Sequence, residues 1–319
     1  TSTNTPVPPT PTFTPTPVPG AGTDVNGAVL TNTTWSLAGS PYRLTGDVIV
    51  ASGATLTIAP GVAVTGNGHS LSVVGLLDAT GAPAAHIHFH DVRIVNGDTE
   101  YDSPDALIQL QYIEADGGAI YPAPAGYGSL SLRDSIIRNG TDSMYIWYPT
   151  SDVYIERNVF ANTPGISIGT DGDRRVYVRN NLFTNIQTVY DEFAVENWAA
   201  YGTSATVLEY NSFLDTDRIA VRLPPHYYNA QLSATNNFWN TTDPVVITGM
   251  IYDQNDDPAS AGFIAYQPFL TAPHPDTPSF ATPTPTPTPT PTATATNTPE
   301  PPTPTFTPTP TATNTPEPP

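Results

Sequence analysis

The stretch Leu132–Asn139 (LRDSIIRN) decides the fold, because four others repeat it without a gap: Ile155–Asn162 (IERNVFAN), Val178–Asn185 (VRNNLFTN), Leu208–Asp215 (LEYNSFLD) and Ser233–Asn240 (SATNNFWN). The fourth position of this octet reads Ser135, Asn158, Asn181, Asn211, Asn236. The sixth reads Ile137, Phe160, Phe183, Phe213, Phe238, and the eighth Asn139, Asn162, Asn185, Asp215, Asn240. Successive octets lie 23, 23, 30 and 25 residues apart, and weaker rungs carry the step backwards through Ile113, Phe89 and Val64. A period near 24 built of short β-rich runs predicts coils that each contribute parallel strands, with equivalent residues stacked about 4.8 Å apart. Asn at a fixed place tolerates a left-handed bend, and stacked amides can bond along the axis. Stacked Phe fills the core.

The outward positions support the same register. The second position reads Arg133, Glu156, Arg179, Glu209, so opposite charges alternate up one face, each pair contributing about 0.2–1 kcal/mol. Asp134 falls above Arg157, and Tyr154 above Tyr177. The expectation is an all-β, right-handed parallel β-helix of about ten coils between residues 23 and 270, a rod roughly 48 Å long. Its domain spans 23–280, between Thr/Pro-rich linkers at 1–22 and 281–319.

Composition separates those parts. Residues 1–20 and 281–319 hold 21 of the 37 prolines, with Glu300 and Glu317 as their only charges. They have little apolar surface to offset the entropy of folding and are expected to stay extended. Alternating Pro biases each preceding Thr toward polyproline II, at about 3.1 Å per residue. Ser2–Pro17 (STNTPVPPTPTFTPTP) recurs as Ala295–Pro310 (ATNTPEPPTPTFTPTP) with two differences. A linker that reappears on the far side of a folded domain suggests a tandem array. Such Thr-Pro runs also read as O-glycosylated stalks, with Thr10, Thr12, Thr14, Thr16, Thr284, Thr286, Thr288, Thr290, Thr305 and Thr307 as candidate acceptors.

The net charge of −19, with ten Arg and no Lys, argues against nucleic acid and anionic lipid as partners. With no Cys, disulfides, thiolate nucleophiles and Cys-based metal sites are excluded. No apolar run is long enough to cross a bilayer. Thr1 opens without the charged and apolar regions of a signal peptide, so a mature or excised piece is expected.

The chain resembles right-handed parallel β-helix repeat proteins of the pectate-lyase-like superfamily, of the secreted bacterial type. Residues 46–68 (GDVIVASGATLTIAPGVAVTGNG) and 81–92 (GAPAAHIHFHDV) look like their N-terminal coils, and 236–244 (NNFWNTTDP) like their closing coil. The resemblance implies the fold and a secreted or cell-surface location. Function it leaves open, since that superfamily includes lyases, hydrolases, adhesins and inert rods. Lyases of this fold bind Ca²⁺ through carboxylates on neighbouring rungs and use Arg or Lys as base. Hydrolases carry Gly-His-Gly and Arg-Ile-Lys segments, and neither occurs here.

Candidate sites are few. His86, His88 and His90 alternate with apolar residues, so on a strand they share one outward face and could share a metal. Acidic loops at Asp98, Glu100, Asp102 and Asp105, at Asp171 and Asp173, and at Asp253, Asp256 and Asp257 are candidates for Ca²⁺. Arg174 and Arg175 form the one adjacent Arg pair. Met144–Tyr148 and the insertion Tyr190–Tyr201 are aromatic-rich and suit sugar stacking or a protein contact. Two functional classes follow. One is an extracellular structural protein, a module of a tandem or self-associating array, with the segment around Trp35 and Leu37 and the tail Phe263–Leu270 as caps or contacts. The other binds or degrades polysaccharide. No catalytic residue and no obligatory cofactor is expected from the motifs.

Overall fold

The computed structural model describes residues 22–97, 106–121, 128–169, 174–187, 193–198, 205–225 and 230–279. The Thr-Pro linkers and all ten candidate Thr acceptors lie outside these residues, as do the acidic loop at 98–105 and Asp171 and Asp173.

The described residues between 22 and 279 wind into an all-β parallel solenoid with three faces. Among them sheet 1 has twelve strands, sheet 2 eight and sheet 3 five, with a two-stranded pair at the C-terminal end. Each coil passes from sheet 2 through a bend to sheet 1 and then to the third face, as in Ser129–Arg133, Ile136–Arg138 and Met144–Trp147. Sheet 1 covers part of two faces because Tyr42–Val50 turns a corner. Its start pairs with Ala63–Thr65 and its end with Ser70–Val73. Lower on the rod the third face continues into sheet 3 through Tyr145 N–H donating to Tyr121 C=O (2.8 Å).

The bend between sheets 2 and 1 holds the coils in register. Asn158, Asn181, Asn211 and Asn237 are each fully buried there. Each Oδ1 accepts the backbone N–H of its counterpart one coil earlier, over Ser135–Asn158 (3.0 Å), Asn158–Asn181 (3.0 Å), Asn181–Asn211 (3.0 Å) and Asn211–Asn237 (2.8 Å). Each Nδ2 donates to a carbonyl of the earlier coil: Leu132, Ile155, Val178 and Leu208. Parallel to it inside the rod runs an aromatic stack, Phe160–Phe183–Phe213–Trp239, with ring centroids 5.0, 5.3 and 5.1 Å apart.

This geometry corrects the sequence reading in three places. In the last coil Asn237 and Trp239 occupy the ladder and the stack, where Asn236 and Phe238 were expected. A one-residue shift exchanges inside for outside on a strand, and Asn236 takes the bend itself with φ 60°. Left-handed backbone falls at the third place of the octet, Asp134, Arg157, Asn180 and Tyr210, and at the Asn column of the eighth place, Asn139, Asn162, Asn185 and Asn240, while the fourth supplies the buried amides Asn158, Asn181 and Asn211. Ala115, not Ile113, stacks on Phe89, because the strand enters two residues earlier. Finally, the solenoid has about seven turns rather than ten. At strand spacing that is roughly 34 Å. Thr23–Val29 lies across the first coil without a full turn of its own, and the closing segment spends residues on the helix Pro244–Gly249 and the turn at Asp253–Asp257.

The outward ladders form as read. Arg133 pairs with Glu156 (3.0 Å), Arg179 with Glu209 (2.9 Å), and Asp134 accepts Arg157 Nε and Nη2 (2.6 and 2.9 Å). Tyr154 and Tyr177 stack at 5.1 Å, with the Arg133 and Arg179 guanidinium groups over their rings. A second amide column marks the eighth position, Asn139 to Asp116 (2.6 Å), Asn162 to Asn139 (2.6 Å) and Asn185 to Asn162 (2.9 Å), but it is exposed.

Replacing Asn181 by Leu strands the Asn158 N–H and the Ile155 carbonyl, each costing about 1–3 kcal/mol when buried. Asn185→Ala, on the exposed column, should cost about 0.5–1.5 kcal/mol, the net worth of an ordinary hydrogen bond. Denaturant unfolding of the two variants checks this, and equal losses would contradict the ladder's role.

Candidate functional site

Among the described residues, the third face carries a buried charge in an outward-pointing column. On sheet 3, Met144, Ile166, Val195, Val221 and Ile251 point inward to the core. Alternation therefore sets Tyr145, Ser167, Glu196, Arg222 and Tyr252 in one outward column, in direct register. Even so, Ser167 is 0% and Glu196 4% exposed. Glu196 Oε2 accepts Trp198 Nε1 (2.6 Å) and Ser167 Oγ (3.1 Å), and Oε1 lies 3.4 Å from Arg222 Nε. The Arg222 guanidinium stands over Tyr252, whose hydroxyl donates to Asp257 (3.3 Å).

Two indoles complete the cluster. Trp147 and Trp198 lie 5.7 Å apart, centroid to centroid, at 51°. Trp147 also contacts Tyr145 (6.5 Å) and, edge to face, Tyr148 (6.1 Å). It can lie against the sheet because its register neighbour is Gly169, where a Cβ would come within 3.0 Å of the indole. Trp147 and Trp198, one from each aromatic stretch singled out in the sequence, thus meet on one face, while 190–192 and 199–201 of the second stretch lie outside the described residues. Glu196 and Arg222 were missed. Their only sequence signal was a charged residue beside an apolar strand residue, in coils whose unequal lengths hide the pairing. Chemically the cluster offers flat ring faces around a carboxylate already committed to an indole N–H, a hydroxyl and a guanidinium.

The other candidates are placed differently. His88 and His90 point outward from Ile87–His90, exposed, while His86 precedes the strand and lies near Tyr112. His88 Nδ1 is 3.4 Å from Glu114 on the next coil, an acidic neighbour the sequence could not assign. Glu114 is itself bound to Arg138 (2.6 Å), which also holds Asp116 (3.1 Å). Among the described residues no group of three His, Asp or Glu is placed to hold a metal. Arg174 Nε donates to Thr150 C=O (2.9 Å), and the backbone N–H of Arg175 to Asp152 (2.9 Å).

The acidic group near the closing coil has a structural use. Asp253, 2% exposed, accepts Asn255 N–H (2.8 Å) on Oδ1 and Ile264 N–H (2.8 Å) on Oδ2. Gln254 N–H meanwhile donates to Gly262 C=O (2.9 Å). Gly262–Ala265 is the last strand, paired on its inner side with Ala230–Ser233. These two bonds occupy groups on its outer side. In the segments read as caps or contacts, Trp35 stacks on Tyr42 at 4.8 Å, and Tyr266 meets Trp239 edge to face and stacks on Phe269. Phe263 remains exposed.

No protein family, curated protein or solved structure matches the chain.

Removing the Glu196 carboxylate leaves Arg222 facing a covered gap. Glu196→Ala should cost about 3 kcal/mol, the low end for breaking a buried pair because Arg222 keeps some solvent contact. Thermal unfolding checks the loss, and Trp198 emission should shift as its N–H partner disappears. A second outcome concerns acid. The Asn139 hydrogen bond, with Arg138, holds Asp116 below the usual carboxylate value. Burial works upward on Asp134, yet Arg157 and Gln111 hold it low as well. For depressed carboxylates the stabilisation is present above the unfolded value and lost as pH falls through the folded one. Stability should therefore fall below about pH 4, and less steeply in Asp134→Asn, as acid titration of unfolding would show.

Proposed function

We propose that this chain is an extracellular structural module, one rod of a tandem array spaced by O-glycosylated Thr-Pro linkers. The observation that carries the reading is the closed last strand. An open strand edge invites another chain, and here Asp253 and Gln254 occupy the outer groups of Gly262–Ala265. A rod that terminates itself suits a bead on a linker better than a subunit stacked head to tail. The recurrence of the Ser2–Pro17 sequence at Ala295–Pro310 supports the array. The candidate acceptors from Thr10 to Thr16 and from Thr284 to Thr307 would stiffen the spacers once glycosylated. The likeness to secreted pectate-lyase-like β-helix proteins in the entry and closing coils agrees with an extracellular setting.

A second reading, polysaccharide binding, is favoured by one observation, the Trp147–Trp198 pair beside Tyr145. Planar rings of this kind stack on sugars. The acidic surface favours neutral glycans over polyuronates unless calcium bridges them.

Sedimentation of the full chain should give monomers across concentration, and Asp253→Ala should associate as the last edge opens. Filaments of the unmodified chain would instead support end-to-end stacking. For the second reading, a panel of neutral and uronate glycans with and without Ca²⁺ is the measurement. Binding should drop about ten-fold or more in Trp147→Ala, as expected when an anchoring aromatic is truncated. Absence of any binding retires it.

A further inference from the structure

The described chain continues past the last coil as a strap on the flank of the rod. Asn236 N–H donates to Pro268 C=O (2.6 Å) and Leu270 N–H to Asn237 C=O (2.9 Å), which seats 268–270 against the final octet. Residues 271–279 then reach back to two earlier coils. The His274 ring lies against Tyr210, centroids 4.6 Å apart, and its Nδ1 is 2.9 Å from Asn180 Nδ2. Thr277 Oγ1 donates to Tyr210 C=O (2.7 Å). Asn180 and Tyr210 are the left-handed residues of successive coils, with φ 53° and 62°.

Two bonds inside the segment give it its shape. Thr277 N–H donates to His274 C=O (2.9 Å), and Asp276 N–H donates to His274 Nδ1 (3.2 Å). A ring nitrogen that accepts a backbone N–H carries no proton of its own, so the ring proton is on Nε2. Asn180 Nδ2 is then a second donor to Nδ1. The strap is thus tied to the rod through one imidazole and one hydroxyl.

That hydroxyl belongs to Thr277-Pro278, the first Thr-Pro step after the rod. Thr277 has the sequence of the linker acceptors but is only 9% exposed, while Pro275, Asp276 and Ser279 around it are exposed. In O-glycosylation the anomeric carbon of an activated glycosyl phosphate leaves its phosphate oxygen and bonds to Oγ1, and the hydroxyl proton passes to base. The product oxygen has no hydrogen to donate. A gap of 2.7 Å to the Tyr210 carbonyl also leaves no room for a sugar ring.

We infer that docking of this strap and O-glycosylation of Thr277 exclude one another, so that Thr277 is a modification site deciding whether 271–279 lies on the rod or joins the tether. Docking shelters the hydroxyl, and a sugar placed on it first keeps the strap off. The nine residues Thr271–Ser279 then add about 28 Å of reach at polyproline spacing. That consequence rests on the array reading, whereas the exclusion itself does not.

The chain has no Cys, so a thiol placed at 277 is unique. Capping of Thr277→Cys by a sugar-bearing iodoacetamide should run about ten-fold or more slower than capping of Ser279→Cys, as for a group reached only through local opening. In NMR spectra at fixed pH, the His274 ring signals of the unmodified chain should be displaced by the Tyr210 ring. They should stay displaced in Thr277→Ser and in capped Ser279→Cys, and move to free-histidine values in capped Thr277→Cys. Capped Thr277→Cys that keeps the displaced signals would overturn the inference, as would free values in the unmodified chain. Absence of sugar from the linker Thr residues of the native protein counts against the array reading and leaves these results as they stand.

Discussion

One buried carboxamide per coil is the constraint on which the lower rod depends. A coil that turns a corner inside a protein leaves a backbone N–H and a carbonyl facing inward, and neither can be left unpaired without a cost of kilocalories. Asn answers both with one side chain, Oδ1 toward the N–H and Nδ2 toward the carbonyl of the coil before. Because the next Asn is held the same way, the register of one bend sets that of the next. The Phe160–Phe183–Phe213–Trp239 stack and the charge ladder on sheet 2 follow from that spacing. Ser135 ends the column upward, its hydroxyl accepting from Ile113 N–H (3.1 Å) in place of an amide.

A solenoid solves its sides by repetition and is left with its ends. Here the two ends are treated differently. At the C-terminal end an Asx turn at Asp253 reaches back to the last strand, and aromatic rings close the core below Trp239. At the N-terminal end the described chain supplies a Trp35–Tyr42 stack and a strand laid across the first coil.

The third face obeys a different logic. Its outward column buries a carboxylate, Glu196, against the Trp198 N–H, and Trp198 in turn packs against Trp147. Gly169 is part of that arrangement, since any side chain there would lift Trp147 from the sheet. The acid-lowered carboxylates Asp116 and Asp134, by contrast, belong to the outward ladders between coils and need no ligand to explain them.

The sequence by itself determined the solenoid and its period. Both rest on residues that recur for a local reason, amides at bends and apolar residues at every second strand position. It also identified the aromatic stretches at 144–148 and 190–201, but not that Trp147 and Trp198 touch. That contact crosses coils of unequal length, where counting residues loses the register. In the last coil the pairs Asn236-Asn237 and Phe238-Trp239 offered two alignments of similar chemistry. Only packing chose between them, because the buried bend accepts an amide and the adjacent left-handed position needs one residue more. Tertiary structure likewise decided the turn count and the use of Asp253. Those depend on how the ends of the rod are finished, and an end, unlike a repeat, occurs once.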